Sequence, residues 1–134
     1  MAQADIDVVR ELYDAFNAGR IERVRELLSD EIEWVEPAGY FVPEAAGTTR
    51  GLDAVLAVFD RYPEIWERFA PTAEEFHDAG GGVVFVIGTQ HGRTHGGHEV
   101  AGSFVNCWQV EDGRLTVHRS WSDTKTIAET IARG

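Results

Sequence analysis

Residues 100–123 constrain the fold of this chain more than any other stretch. Two runs rich in Val, Phe, Trp and Thr flank the sequence Glu-Asp-Gly-Arg at residues 111–114. Asp and Gly tolerate the positive φ that a tight hairpin turn requires, so the sequence predicts an antiparallel hairpin. Alternate residues of a strand share a face, and one face of the first arm carries Gly102, Phe104, Asn106 and Trp108. Because polar and aromatic residues mix on these faces, we interpret the hairpin as the back wall of a cavity.

The composition limits the classes of partner. The chain has 134 residues, which predicts one domain over residues 1–134. Its formal net charge of −11 argues against nucleic acid and against anionic membrane surfaces as partners. The single cysteine, Cys107, cannot form an internal disulfide, and residues 1–7 lack the pattern of a signal peptide. We therefore expect a cytoplasmic protein.

Three helical segments are predicted in the first half of the chain. Apolar residues recur at three- and four-residue steps over residues 5–18, 21–30 and 51–62. Pro63 interrupts the third segment, and residues 64–69 are expected to continue it as a broken helix. Residues 38–50 contain Gly, Pro and aromatic residues without periodicity, and we expect them to fold over the pocket as a lid.

The second half is predicted to be mostly strands. Residues 71–77 and 83–90 have strand patterns, residues 78–82 form a glycine-rich turn, and residues 91–98 form a polar hairpin loop. A short helix over residues 124–132 closes the chain, with Asp123 as its N-cap. This order predicts an α+β protein in which a curved antiparallel sheet, with some mixed pairing, wraps around three helices.

One strand face breaks the apolar pattern. Over residues 32–37 the alternation places Ile32, Trp34 and Glu36 on the same face, directly before Pro37. A carboxylate on an apolar face is a local inconsistency of the kind that marks functional sites. Glu36 is therefore a candidate catalytic residue, although a hydrogen-bonding role in the turn would also explain it.

Four ordered features resemble one family. They are Asn17-Ala18-Gly19-Arg20, Val35-Glu36-Pro37, the stretch Thr-Arg-Gly-Leu-Asp-Ala at residues 49–54, and the strand, Asp-Gly turn and strand of residues 108–123. Together they resemble the SnoaL-like polyketide cyclase and ketosteroid isomerase-like branch of the nuclear transport factor 2-like (NTF2-like) superfamily. The resemblance implies a cone of curved sheet and helices, an apolar pocket at the wide end, and a homodimer. Function varies widely within this superfamily, so the fold alone transfers little.

The resemblance also assigns roles to individual residues. Ketosteroid isomerases place a general base before a proline, a position that matches Glu36, and an oxyanion-hole acid at a position that matches Asn106. Their first-helix tyrosine falls at Leu12, with Tyr13 one residue out of register. SnoaL-like cyclases use a histidine at the Asn106 position and an acid at the Ser120 position, and both are absent. The residues expected to shape the pocket are Tyr13, Trp34, Tyr40, Trp108, His118 and Ser120.

No metal or cofactor is expected. His91, His95 and His98 have spacings that suit a helix face, but the glycines between them predict a loop, and only Glu99 could add a further ligand. The chain also has no glycine-rich phosphate loop between a strand and a helix.

The leading hypothesis is an enzyme without a cofactor that acts on a small apolar carbonyl or hydroxyl compound. Glu36 would serve as base and Asn106 as oxyanion donor in isomerisation, cyclisation or dehydration. One alternative is a non-catalytic module that binds a small hydrophobic molecule. Another is a dimeric scaffold, which predicts a cone filled by side chains.

Overall fold

The computed structural model describes residues 2–134 and shows an α+β arrangement. Helices α1 (Ala2–Asn17) and α2 (Ile21–Leu27) come first, and α3 (Leu52–Phe59) and α4 (Tyr62–Ile65) lie further along the chain. The six strands are β1 (Leu28–Glu36), β2 (Gly47–Arg50), β3 (Trp66–Gly80), β4 (Val83–Thr94), β5 (Glu99–Glu111) and β6 (Arg114–Ser122). Helix α5 (Thr124–Ala132) follows the last strand, and a 3₁₀ turn (Pro43–Ala45) precedes β2.

The strands form one curved sheet in the order β2-β1-β6-β5-β4-β3. All neighbours are antiparallel except β1 and β6, which run parallel, so the sheet is mixed as predicted. The pairing of β3 with β4 shifts register at three places, and that of β5 with β6 shifts once. Such bulges bend strands and increase their twist, which helps this long sheet to curve around the helices.

The predicted hairpin is confirmed. Strands β5 and β6 pair antiparallel on either side of Asp112 and Gly113, whose φ angles are 50° and 76°. Positive φ at both central residues is what a type I′ turn requires, and its twist matches that of the strands. On β5, Phe104, Asn106 and Trp108 are buried, so this face points to the core.

The closing helix begins as the sequence predicts. The Asp123 carboxylate accepts a hydrogen bond from the Thr126 backbone N–H at 3.1 Å and one from the Thr126 hydroxyl at 2.8 Å. These bonds satisfy an otherwise free N–H in the first turn of α5 and hold the pKa of Asp123 below its usual value.

Five local predictions are wrong. Residues 28–30 begin strand β1 rather than ending the second helix, and residues 78–80 extend strand β3 rather than forming the turn. Residues 66–69 belong to strand β3 rather than to a broken helix, and residues 91–94 extend strand β4 rather than forming a loop. Residues 47–50 form the edge strand β2 instead of part of a lid. In each case pairing with a neighbouring strand prevails over the local pattern.

The core lies between the concave face of the sheet and helices α1, α2 and α3. It is made of aliphatic and aromatic side chains, the most deeply buried of which include Val9, Leu28, Ile32, Val84, Val86, Phe104, Trp108 and Leu115. At Gly88 a Cβ atom would lie 2.0 Å from the Thr72 carbonyl oxygen and 2.8 Å from the Phe104 ring. Only glycine therefore lets the Phe104 ring close against β4.

Candidate active site

A cavity opens between the helices and the concave face of the sheet. Its volume is about 50 Å³, which is room for a few waters or part of a small ligand. Its walls come from four helices and five strands. The lining residues are Leu12, Tyr13, Phe16, Val24, Trp34, Glu36, Phe59, Tyr62, Phe69, Pro71, Gln90, Asn106, Trp108, His118 and Ser120.

Strand register aligns the polar residues of the sheet wall. His118 on β6 lies opposite Trp34 on β1 and opposite Trp108 on β5, so these three side chains form one row. Asn106 lies opposite Ser120 in the next row. Glu36 is two residues beyond Trp34 on the same strand face, which brings it to the level of this second row.

Glu36 is a carboxyl group without a cation beside it. Its side chain is almost fully enclosed, with 7% of the residue exposed. The Trp34 indole N–H donates a hydrogen bond of 2.6 Å to Glu36 Oε2. Burial raises the pKa of Glu36 to about 8, and the Trp34 hydrogen bond offsets only part of this effect. None of the described residues that line the cavity is Lys or Arg, so Glu36 is mostly a neutral acid at pH 7.

His118 is the second buried titratable group of the wall. Its ring stacks on Trp34 with 3.8 Å between centroids and lies 4.5 Å from Trp108. Burial lowers its pKa to about 3, so the imidazole is neutral. His118 Nδ1 lies 4.0 Å from Glu36 Oε2 and has no hydrogen-bond partner among residues 2–134. At neutral pH the two groups are thus a neutral acid beside a neutral imidazole, and not an ion pair.

Tyr13 presents its hydroxyl group to the same cavity. The phenol oxygen accepts hydrogen bonds from Asn106 Nδ2 at 2.6 Å and from Trp108 Nε1 at 3.1 Å. Two N–H donors occupy both lone pairs of the oxygen, so the hydroxyl hydrogen of Tyr13 is free to donate into the cavity. Burial raises the pKa of Tyr13 and keeps this hydrogen in place. Tyr13, the neighbour of Leu12, thus presents a hydroxyl donor to the cavity.

The structure brings seven of the eight candidate site residues to this one cavity. They are Tyr13, Trp34, Glu36, Asn106, Trp108, His118 and Ser120, and their catalytic or binding roles stay predictions. Tyr40 is buried behind the wall, where its hydroxyl hydrogen-bonds that of Tyr62, a residue that does line the cavity.

Sequence reasoning missed several lining residues. Phe16 and Phe59 continue the apolar faces of their helices, and Gln90 continues the inward alternation of Val84, Val86 and Gly88 on β4. That alternation could have identified Gln90. Tyr62 gave no such signal, because it stands before Pro63, where the helical pattern stops.

The model of the SnoaL-like domain family matches residues 9–118, which include most of the cavity wall. The chain belongs to the SnoaL-like domain family. The predicted NTF2-like fold is likewise confirmed by solved structures.

An NTF2-like protein of unknown function from Burkholderia pseudomallei K96243 has 26% identity and a TM-score of 0.87, over 96% of this chain and 97% of the other. TerC, which was co-crystallised with polyporic acid, has 25% identity and a TM-score of 0.88. The match covers 96% of this chain and 98% of TerC. IdmH from Streptomyces antibioticus, which is proposed to be a polyketide cyclase, shares the fold at 23% identity and a TM-score of 0.80. The match covers 96% of this chain and 98% of IdmH. A search of curated protein sequences finds no significant match.

Two further features bear on possible partners of this SnoaL-like protein. Within residues 2–134, no three His, Cys, Asp or Glu side chains lie close enough to hold a metal ion. None of the described helices is long and apolar enough to cross a membrane.

Proposed function

We propose that this SnoaL-like protein is a cofactor-independent acid–base catalyst for a small, largely apolar ketone. The observation that carries the proposal is Glu36, a carboxyl group with a pKa of about 8 in an apolar cavity that also holds the free hydroxyl hydrogen of Tyr13. A base whose pKa lies near the working pH combines a useful ionised fraction with sufficient basicity. Raised carboxyl pKa values cluster at catalytic sites.

The chemistry follows from these two groups. Ionised Glu36 takes a proton from the carbon next to the substrate carbonyl, and the electron pair of the broken C–H bond forms the C=C bond of an enolate. Negative charge moves to the carbonyl oxygen, and the Tyr13 hydroxyl donates a hydrogen bond to this oxygen. Asn106 and Trp108 in turn donate hydrogen bonds to the Tyr13 oxygen. Where a C=C bond is conjugated with the enolate, protonated Glu36 returns the proton to the far carbon of that system. Alternatively, the enolate carbon attacks a second carbonyl, and the oxygen of that carbonyl takes the proton from Glu36. The first outcome is an isomerisation and the second a cyclisation. In a dehydration, the enolate expels a hydroxyl group from the next carbon, and this group takes the proton from Glu36 and leaves as water.

The relatives support this class of reaction. Membership of the SnoaL-like family agrees with a pocket protein of the cyclase or isomerase type. TerC, co-crystallised with polyporic acid, supports binding of a small organic compound by a protein of this fold. Asn106 acts in our proposal through Tyr13, which refines its expected role as a direct oxyanion donor.

The proposal is tested with 1-tetralone, an apolar ketone with exchangeable hydrogens next to its carbonyl. We expect the protein to accelerate exchange of these hydrogens in D₂O, followed by NMR, and Glu36→Gln to slow the catalysed exchange by about 10²- to 10⁴-fold. Glutamine cannot take the proton, but it keeps the shape of the side chain. The rate should rise with pH and level off above about pH 8, because the ionised form of Glu36 is the base.

Glu33→Gln is the matched control. Glu33 lies on the same strand but on the opposite, partly exposed face beside Arg50, so its replacement should leave the exchange rate unchanged. Equal exchange rates for the wild type and Glu36→Gln would contradict the proposal.

One observation favours the non-catalytic alternative. At neutral pH Glu36 is mostly protonated and His118 is uncharged, so the cavity resembles a neutral ligand pocket. A binding module would hold 1-tetralone without accelerating exchange at any pH. The same experiment therefore separates the two functions.

A homodimer is proposed from the outer face of the sheet. Ile87, Val105 and Trp121 lie opposite one another on β4, β5 and β6, and Trp121 and Ile87 are 50% and 38% exposed. Such an exposed apolar row on a sheet surface can pack against the same row of a second copy of the chain. We expect sedimentation equilibrium to show a dimer for the wild type and a monomer for Trp121→Glu, because a buried, unpaired charge opposes association. A monomeric wild type would contradict this assignment.

A further inference from the structure

The hydroxyl pair of Tyr40 and Tyr62 is a polar feature of the site that the proposed mechanism does not use. Tyr40 is buried and Tyr62 is partly buried, and their hydroxyl groups share one hydrogen bond. Tyr40 has no other side-chain hydrogen-bond partner among residues 2–134, whereas Tyr62 lines the cavity. A buried hydroxyl hydrogen without an acceptor is costly, so Tyr40 donates to Tyr62. The hydroxyl hydrogen of Tyr62 is then available to a molecule in the cavity.

An unpaired acceptor lines the same cavity as Tyr62. Gln90 Oε1 is buried in the cavity wall and has no hydrogen-bond partner within the described part of the chain. Gln90 pairs with Pro71 on β3, and the ring of Phe69 on the same strand lies 5.4 Å from that of Tyr62. A donor and an acceptor thus stand on the β3 side of the cavity, where a hydroxyl group could accept from one and donate to the other.

This second polar corner is separate from the one formed by Tyr13 and Asn106. Asn106 lies opposite Val86 on β4, four residues before Gln90, which puts about 13 Å of strand between the two positions. Aromatic rings fill the wall between the corners. Trp108, Trp34 and Phe59 link Tyr13 to Tyr62 through successive centroid distances of 6.0, 5.6, 5.1 and 5.6 Å. The wall between the two corners therefore carries these aromatic rings, with Glu36 and His118 beside Trp34.

We propose that the substrate is a hydroxyketone, with its keto oxygen at Tyr13 and its hydroxyl group between Tyr62 and Gln90. Tyr62 is a substrate-binding residue, and Tyr40 is a positioning residue that acts through Tyr62. This assignment rests on the proposed function, because the proposed function places the keto oxygen at Tyr13. It also gives Tyr40 a role different from direct lining of the pocket.

The test compares 1-tetralone with 6-hydroxy-1-tetralone, which carries an additional hydroxyl group on the far ring. Dissociation constants are measured by isothermal titration calorimetry at about pH 6, where the added phenol stays neutral. We expect the wild type to bind the hydroxyketone about tenfold more tightly than the plain ketone, as one well-placed hydrogen-bonding group allows. The ratio of the two constants should fall to within about twofold of unity in both variants. Tyr62→Phe removes the donor, and Tyr40→Phe removes the hydrogen bond that orients it.

Tyr13→Phe is the matched control. It removes the hydroxyl group at the other corner, so it should weaken both ligands by a similar factor and preserve the ratio of the wild type. A loss of selectivity in Tyr40→Phe would show positioning, because general damage to the fold would weaken both ligands alike. A ratio near unity in the wild type, or an unchanged ratio in Tyr62→Phe, would overturn the hydroxyketone assignment while leaving catalysed exchange of 1-tetralone intact. Failure of the wild type to bind either ketone would contradict the proposed function and this inference with it.

Discussion

Glu36→Gln is expected to stabilise the protein progressively as the pH rises, by up to about 5 kcal/mol near pH 9 relative to pH 4. Glu36 has a pKa of about 8 in the folded protein, against an ordinary value of 4.5. Between these values the unfolded chain releases the proton while the folded protein keeps it. The contribution of Glu36 to the free energy of unfolding therefore falls by about 1.4 kcal/mol per pH unit, and glutamine removes this loss.

Urea denaturation followed by tryptophan fluorescence measures the effect. The difference in unfolding free energy between Glu36→Gln and the wild type should grow through this pH window, whereas Glu33→Gln should show no such growth. If the difference in unfolding free energy between Glu36→Gln and the wild type stayed constant between about pH 4 and 9, Glu36 would titrate normally in the folded protein.

His118→Phe is expected to stabilise the protein at acid pH. The folded-state pKa of His118 is about 3, against an ordinary 6.5, because the imidazole is buried between two indole rings. Between pH 6.5 and 3, His118 binds a proton in the unfolded chain but not in the folded protein. The free energy of unfolding therefore decreases as the pH falls through this range. Phenylalanine keeps the aromatic stacking and cannot be charged. The relative gain should reach about 5 kcal/mol at the acid end of this window.

The same denaturation experiment tests this prediction, with His77→Phe as the control. His77 is an exposed histidine beside Glu75, so its replacement should change the pH dependence little. An equal pH dependence of unfolding for His118→Phe and the wild type would show that His118 becomes charged without cost. Between pH 4.5 and 6.5 the free energy of unfolding decreases with pH through Glu36 and increases with pH through His118. The two contributions therefore cancel in this window.

Local sequence signals predicted the parts of the fold that local chemistry determines. The Asp112-Gly113 turn, the Asp123 cap and the buried face of Ile32, Trp34 and Glu36 all follow from turn geometry, capping and alternation. The errors arose where long-range pairing decides. Ile65, Trp66 and Phe69 have helical spacing, but β3 starts at Trp66 because it pairs with β4 as far as Thr94.

The candidate site shows the same division. Glu36 and Asn106 could be selected because each is a polar residue on an otherwise apolar strand face. The Tyr13 hydroxyl could not be assigned in the same way, because only the packing of α1 against the sheet brings it to Asn106 and Trp108. Tyr62 and Tyr40 lie in segments without regular patterning, and their contact depends on how residues 37–46 fold back onto α4.

The pKa of Glu36 in the folded protein is the measurement that tests this account most directly. A ¹³C NMR titration of the side-chain carboxyl carbon, assigned with Glu36→Gln, would give this value. We predict a midpoint near 8, which would establish a buried carboxyl group able to carry a proton at neutral pH. A midpoint near the ordinary value of 4.5 would contradict the account, because Glu36 would then be a weak, solvated base.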